Sequence, residues 1–178
     1  MTASRSPVAL SERQVFFTGD QHFYHRGIIE HAARPFRDID EMNLAMVDAW
    51  NHTVGILDTV YVLGDFIWHG GSRRDEIISM LNGSIYLIPG DHDKGLLNCH
   101  ALRVLPPIFH LEYRDKSFVL CHWPLRAWYK QHYGSINLHA HSHGRGIAIA
   151  NQLDIGVDTH ELRPWNYDEV IDIISGGK

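Results

Sequence analysis

Short apolar runs alternate with polar, helix-patterned stretches through the first half of this chain. Val15-Phe16-Phe17-Thr18, Val60-Tyr61-Val62-Leu63 and Ile85-Tyr86-Leu87-Ile88 are rich in β-branched and aromatic residues. Runs of that length and make-up predict buried strands. Between them the period changes. Ile39, Met42, Met46, Val47 and Trp50 form a helical apolar stripe. Asp38 and Glu41 ahead of it are spaced as a capping-box-like start. A shorter helix is predicted near Arg26–Ala33, stopped by Pro35. A third starts after Ser72, buries Ile77, Ile78 and Leu81, and ends at Asn82-Gly83. Alternation of strand and helix predicts parallel pairing through crossover helices.

The second half is patterned differently. Ile108–Tyr113 and Ser117–Cys121 flank Arg114-Asp115-Lys116 and read as a hairpin. Ile147–Ala150 and Leu153–Val157 flank Asn151-Gln152 and read as a second hairpin. Ile136-Asn137-Leu138 is a further short strand, and a closing helix is predicted over Tyr167–Ile174. The expected fold class is therefore α/β, with two facing mixed β-sheets flanked by helices. A single domain over residues 1–178 is expected, with residues 1–12 as a polar tail.

Candidate chemistry sits where the runs end. Asp20 and His22 follow the first run, Asp65 the second, and Asp91-His92-Asp93 the third. His122 follows Phe118-Val119-Leu120-Cys121, and His139, His141 and His143 follow Ile136-Asn137-Leu138. Sites in layered α/β proteins form outside the carboxyl ends of strands. Residues distant in sequence can therefore meet there. Taken singly, each has a plain reading: Asp-x-His and Gly-Asp are common turns, and His122 could be a satisfied core histidine. Taken together, three carboxylates and four or more imidazoles need cations among them. In an extended segment the spacing of Asp20 with His22, and of His139 with His141 and His143, would place each set on one face.

Charge and cysteine content narrow the partners. The formal net charge of −5 argues against a general nucleic-acid backbone binder. Fourteen histidines exceed what packing needs. Cys99 and Cys121 have no C-x-x-C spacing, so a structural thiolate zinc site is not expected and both read as reduced thiols. Met1 to Arg13 holds no apolar stretch of signal-peptide length. No run approaches the roughly 20 residues of a membrane span, so a cytoplasmic protein without a membrane partner is expected.

Asp20-x-His22, Gly64-Asp65, Gly90-Asp91-His92-Asp93, His122 and Ala140-His141-Ser142-His143 follow in the order D-x-H, G-D, G-N-H-(D/E), H, G-H-x-H. In this the chain resembles the calcineurin-like metallophosphoesterase superfamily, from about Val15 to Asp158. It is most similar to the small cap-less bacterial and phage group, through Asp20-Gln21-His22-Phe23-Tyr24-His25, Arg34-Pro35-Phe36 and His122-Trp123-Pro124-Leu125. The resemblance implies two divalent transition metals, drawn from manganese, iron, nickel and zinc, about 3.5–4 Å apart. Asp20, His22, Asp65 and His143 would hold the first. Asp65, Asp91, His122 and His141 would hold the second, with Asp65 bridging. A bridging hydroxide would attack phosphorus while His92 assists the leaving group. The implied partner is a small phosphoester, with phosphodiesters or cyclic nucleotides foremost. Beyond the motif, His25, His139, Trp123 and Arg26 are candidates to support a ligand or face substrate. Arg34, Arg37, Arg126, Tyr24, Trp68 and Trp128 are further candidate contacts.

Two positions depart from the family pattern. Ala140 stands where the family carries Gly, and Asp91 where it carries Asn. An ionised Asp91 makes the site about neutral with two dications and one hydroxide, where Asn would leave it singly positive. Gly64-Asp65 also lacks the downstream Asp-Arg-Gly of the Ser/Thr protein phosphatases, which argues against a phosphoprotein substrate. Two rival functions stay open: a catalytically weakened fold used as a binding module, and a nuclease.

Overall fold

The computed structural model describes residues 13–68 and 73–176. The expected tail over residues 1–12 and the Ser72 start of the third helix lie outside them. The first apolar run forms β1 (Val15–Thr18). After it come α1 (Gly27–His31) and α2 (Ile39–Thr53). β2 (Thr59–Val62), α3 (Arg74–Ser79), β3 (Ser84–Leu87) and β4 (Arg103–Val104) complete the alternating half. β1 to β4 pair in parallel, and β9 (Trp165–Asn166) joins β1 antiparallel, giving the order β4-β3-β2-β1-β9.

The second sheet has the order β5-β6-β7-β8. β5 (Ile108–Tyr113) and β6 (Lys116–Cys121) form the expected hairpin. β7 (Ile136–His139) pairs parallel to β6, and β8 (Gln152–Asp154) parallel to β7. The second hairpin is not formed. Residues 147–150 carry no strand, and Ile147 is 89% exposed. Asn151, at φ 57°, is the turn into β8, which takes its ladder bonds from β7 instead. A parallel partner offered by β7 overrode the local hairpin pattern. The closing helix α4 spans Tyr167–Ile174, with Asn166 and Glu169 forming a reciprocal capping box.

Alternation along β1 shows how the layers assemble. Phe16 packs with Met42, Met46 and Trp50 of α2 on one side. Phe17 packs on the other with Phe118 of β6, ring centroids 5.5 Å apart. One sheet therefore buries one face under helices and the other against the second sheet. α2 starts as its sequence implies, because Asp38 accepts from the Glu41 amide at 2.9 Å. The return arm of the box shifts by one residue, since Glu41 accepts from the Arg37 amide. Among the described residues no helix is long and apolar enough to cross a membrane.

Candidate metal centre

The loops leaving the strands are tied together before any ligand is considered. The Asp20 amide donates to Gly64 O and the His22 amide to Asp65 O, which zips the loops after β1 and β2. The Ala140 amide donates to His122 O and joins the loops after β6 and β7. Asp93 is fully buried and accepts from the amides of Asp65, Phe66 and Gly90 at 2.7, 3.0 and 2.8 Å. Asp154 accepts from Ser142 Oγ and the Gly144 and Gly156 amides, each at 2.9 Å.

All seven expected ligands are thereby brought to one place. Candidate ligand atoms of Asp20, His22 and His143 lie within 4.8 Å of one another, as do those of Asp91, His122 and His141. Asp65 lies between the two groups. Its Oδ2 is 3.5 Å from His22 Nε2 and 3.6 Å from His122 Nε2. The backbone reaches this convergence differently from the extended segments expected. Asp20, His22, Asp65, His141 and His143 have φ of 58°, 51°, 51°, 66° and 47°. Left-handed kinks, not strand alternation, turn these side chains inward. Asp and His tolerate that region better than most residues, yet each such position costs on the order of 1 kcal/mol or more.

The imidazoles are held by their other nitrogens. His122 Nδ1 donates to Leu63 O at 2.8 Å, leaving Nε2 toward Asp65. His143 Nδ1 lies 2.7 Å from Asp158 Oδ2, and His22 Nδ1 lies 3.3 Å from His25 Nδ1. His25 stacks on Trp68 with centroids 3.6 Å apart. Trp123 Nε1 donates to Asp91 Oδ2 at 3.2 Å. His92 belongs to neither ligand group. Its Nε2 is 3.8 Å from Asp65 Oδ2, its side chain is 38% exposed, and it borders the same cavity.

Electrostatics tests whether cations fit. Asp20 Oδ1 and Oδ2 and His22 Nε2 are buried without any hydrogen-bond partner. Burial pushes the Asp20 carboxyl up to about 8, against the pull of His143. Burial, with His143 and Arg34 nearby, pushes His22 down to about 2. A buried carboxylate with both oxygens unpaired is costly unless something positive sits beside it. Burial alone would lower His143 too, but its bond to Asp158 and the Asp20 carboxylate raise it. The donor set of carboxylate oxygens and imidazole nitrogens suits a divalent transition metal.

The cavity over these residues has a volume of about 340 Å³. It is lined by His22, His25, Ile28, His31, Asp65, Asp91, His92, His141 and His143. His31 had no signal in the sequence pattern. His139 and Arg26 do not line this cavity. His139 is buried, bonds Ala140 O through Nδ1, and borders a separate cavity of about 300 Å³ with Trp165 and Leu153. Arg26 is exposed ahead of α1. Arg34 is no substrate contact: its side chain is 1% exposed and all its bonds are internal. Arg37 instead pairs with Glu41, and Trp128 donates to Ser135 O.

The two-sheet α/β fold carries the candidate ligands in the expected order at the ends of its strands. The chain belongs to one family with the uncharacterized protein MJ1445 of Methanocaldococcus jannaschii. The two are 30% identical over 178 residues, covering 95% of this chain and 96% of that one. The gene 66 protein of Mycobacterium phage L5 is 25% identical over 90% of this chain and 93% of its own. The same fold occurs in a crystal structure, that of AQ665 from Aquifex aeolicus, a protein of unknown function. There the TM-score is 0.76 at 20% identity, covering 92% of this chain and all of that one. No family model matches the chain.

Proposed function

We propose that the chain is a dinuclear metal-dependent phosphoesterase acting on small phosphodiesters. The observation that carries this reading is the set of orphaned buried atoms Asp20 Oδ1, Asp20 Oδ2 and His22 Nε2 beside a carboxylate, Asp65, whose Oδ2 lies 3.5 Å from His22 Nε2 and 3.6 Å from His122 Nε2. Asp20, His22, Asp65 and His143 would hold one cation, and Asp65, Asp91, His122 and His141 the other. Bound there, the pair supplies the positive charge that activates water and stabilises phosphoryl oxygens. The protein's own residues then set geometry and proton transfer. Leu63 O and Asp158 fix His122 and His143. His92, at the rim and outside both groups, donates a proton or hydrogen bond to the leaving oxygen.

Specificity follows from the lining. No lysine or arginine of the described residues borders the cavity, and Asp91 adds a third carboxylate. Such a site suits a singly charged diester better than a doubly charged monoester. The test is hydrolysis of bis-p-nitrophenyl phosphate and p-nitrophenyl phosphate by manganese-reconstituted protein, alongside Asp65→Asn. Diester turnover that exceeds monoester turnover and collapses in the variant is expected. Absence of metal binding together with absence of turnover would overturn the reading.

A further inference from the structure

We propose that Arg34 and Asp158 form a positioning dyad that builds the first metal site and leaves the second untouched. The inference rests on the two-metal reading above. Arg34 is an arginine with no outward function: its side chain is 1% exposed. Its Nε and Nη2 grip Asp158 Oδ1 and Oδ2 at 2.8 and 2.9 Å, a two-point fork that fixes the carboxylate plane. The remaining donors are not idle. Nη2 also donates to Asp20 O at 2.6 Å, and Nη1 to Gln21 O at 2.8 Å. One guanidinium therefore holds the left-handed turn that aims Asp20 and leads into His22.

Asp158 carries the same constraint to the opposite sheet. The oxygen that receives Nη2 also lies 2.7 Å from His143 Nδ1. That bond sets the His143 tautomer, so Nδ1 bears the proton and Nε2 is left as the ligand atom. All three residues of the first group, Asp20, His22 and His143, thus depend on the dyad through backbone or ring. In the second group His122 and Asp91 are held by other contacts. His122 is oriented by Leu63 O, and Asp91 is bonded by Trp123 Nε1. The sites also differ in exposure: Asp20 is fully buried, whereas the Asp91 and His141 side chains are 49% and 46% exposed. Lysine could not replace Arg34, because an ammonium has no planar fork to satisfy two carboxylate oxygens and two carbonyls together.

The experiment titrates manganese into metal-free wild type, Asp158→Asn and Arg34→Lys by calorimetry, with electron paramagnetic resonance on the loaded forms. Wild type should bind two ions and show a spin-coupled signal. Each variant should lose roughly 10- to 100-fold in affinity at one site, the usual size for a group orienting a ligand. The other site should keep its affinity, and the spectrum should change to that of an isolated ion. The retained site reports that the fold is intact. Two sites of unchanged affinity in both variants would overturn the proposal, as would equal weakening of both sites, which marks a general structural role. Failure of wild type to bind manganese would instead overturn the function proposed above.

Discussion

At the scale of single residues, His92 and Asp91 separate chemistry from metal holding. His92 is backbone-bonded to Asp65 Oδ1 at 3.0 Å, while its ring stays half-exposed over the cavity. His92→Asn should leave metal content unchanged and lower turnover by roughly 10²–10⁴-fold. The loss should shrink for esters whose leaving groups have low pKa, because they need little protonation. Equal loss for good and poor leaving groups would contradict an acid role. Asp91 is a different case. Its oxygen faces His141 Nδ1 at 3.5 Å and Trp123 Nε1 at 3.2 Å, and its side chain is 49% exposed. Asp91→Asn removes about one negative charge from beside the phosphate site while keeping a carbonyl ligand. Diester turnover should therefore rise, and second-site affinity should hold or fall. Lower turnover with manganese, iron, nickel and zinc alike would reject that account.

At the scale of elements, Ala140 is fitted against a glycine in the loop after β1. A Cβ placed on Gly19 would lie 2.6 Å from Ala140 Cβ and 3.2 Å from Leu63 O. The loops after β1 and β7, from different sheets, are therefore in contact across one missing side chain. Gly19→Ala should cost about 1–3 kcal/mol through overpacking, and much less when combined with Ala140→Gly. A coupling of about 0.5–3 kcal/mol is expected from urea denaturation of the four forms, whereas additive changes would exclude the contact. This packing lay beyond the sequence, although the strands did not. Val15–Thr18 and the β5–β6 hairpin were legible because apolar runs and turn residues are local signals. So was the convergence of the seven candidate ligands, because each sits just past a strand-like run. Arg34, Asp158 and Asp154 were not, because their partners lie across the fold and no spacing rule connects residue 34 to residue 158. The failed second hairpin has the same cause: β8 pairs with β7, a choice made by sheet assembly.

At the scale of the whole molecule, gathering these loops stores a conflict that pH should expose. In metal-free protein Asp20 titrates near 8 because burial disfavours its charge, against 3.8 as an ordinary carboxyl. The native state then binds the extra proton. Its contribution is fully present below the unfolded value and is lost as pH rises toward 8, at about 1.4 kcal/mol per unit. His22 has the opposite sign: burial lowers it from 6.5 to about 2, so stability falls as pH drops below 6.5. Asp158 adds to that acid loss. Burial would raise it, but bonds from His143 and Arg34 win and take it from 3.8 to about 2. Asp20 and His22 therefore oppose each other between 3.8 and 6.5, and only the Asp20 fall continues above 6.5. His143, raised by Asp158 and Asp20 despite burial, adds a fall of the same sign there. Chelated protein should thus melt progressively lower from about pH 6.5 to about pH 8, and Asp20→Asn should remove most of that decline. A bound cation holds Asp20 ionised, so binding releases its proton and stabilises only the folded chain. Manganese should consequently raise the melting temperature more at about pH 8 than at about pH 5.5. An equal rise at both, or an alkaline decline that persists undiminished in Asp20→Asn, would show that Asp20 is not the buried charge the cation neutralises.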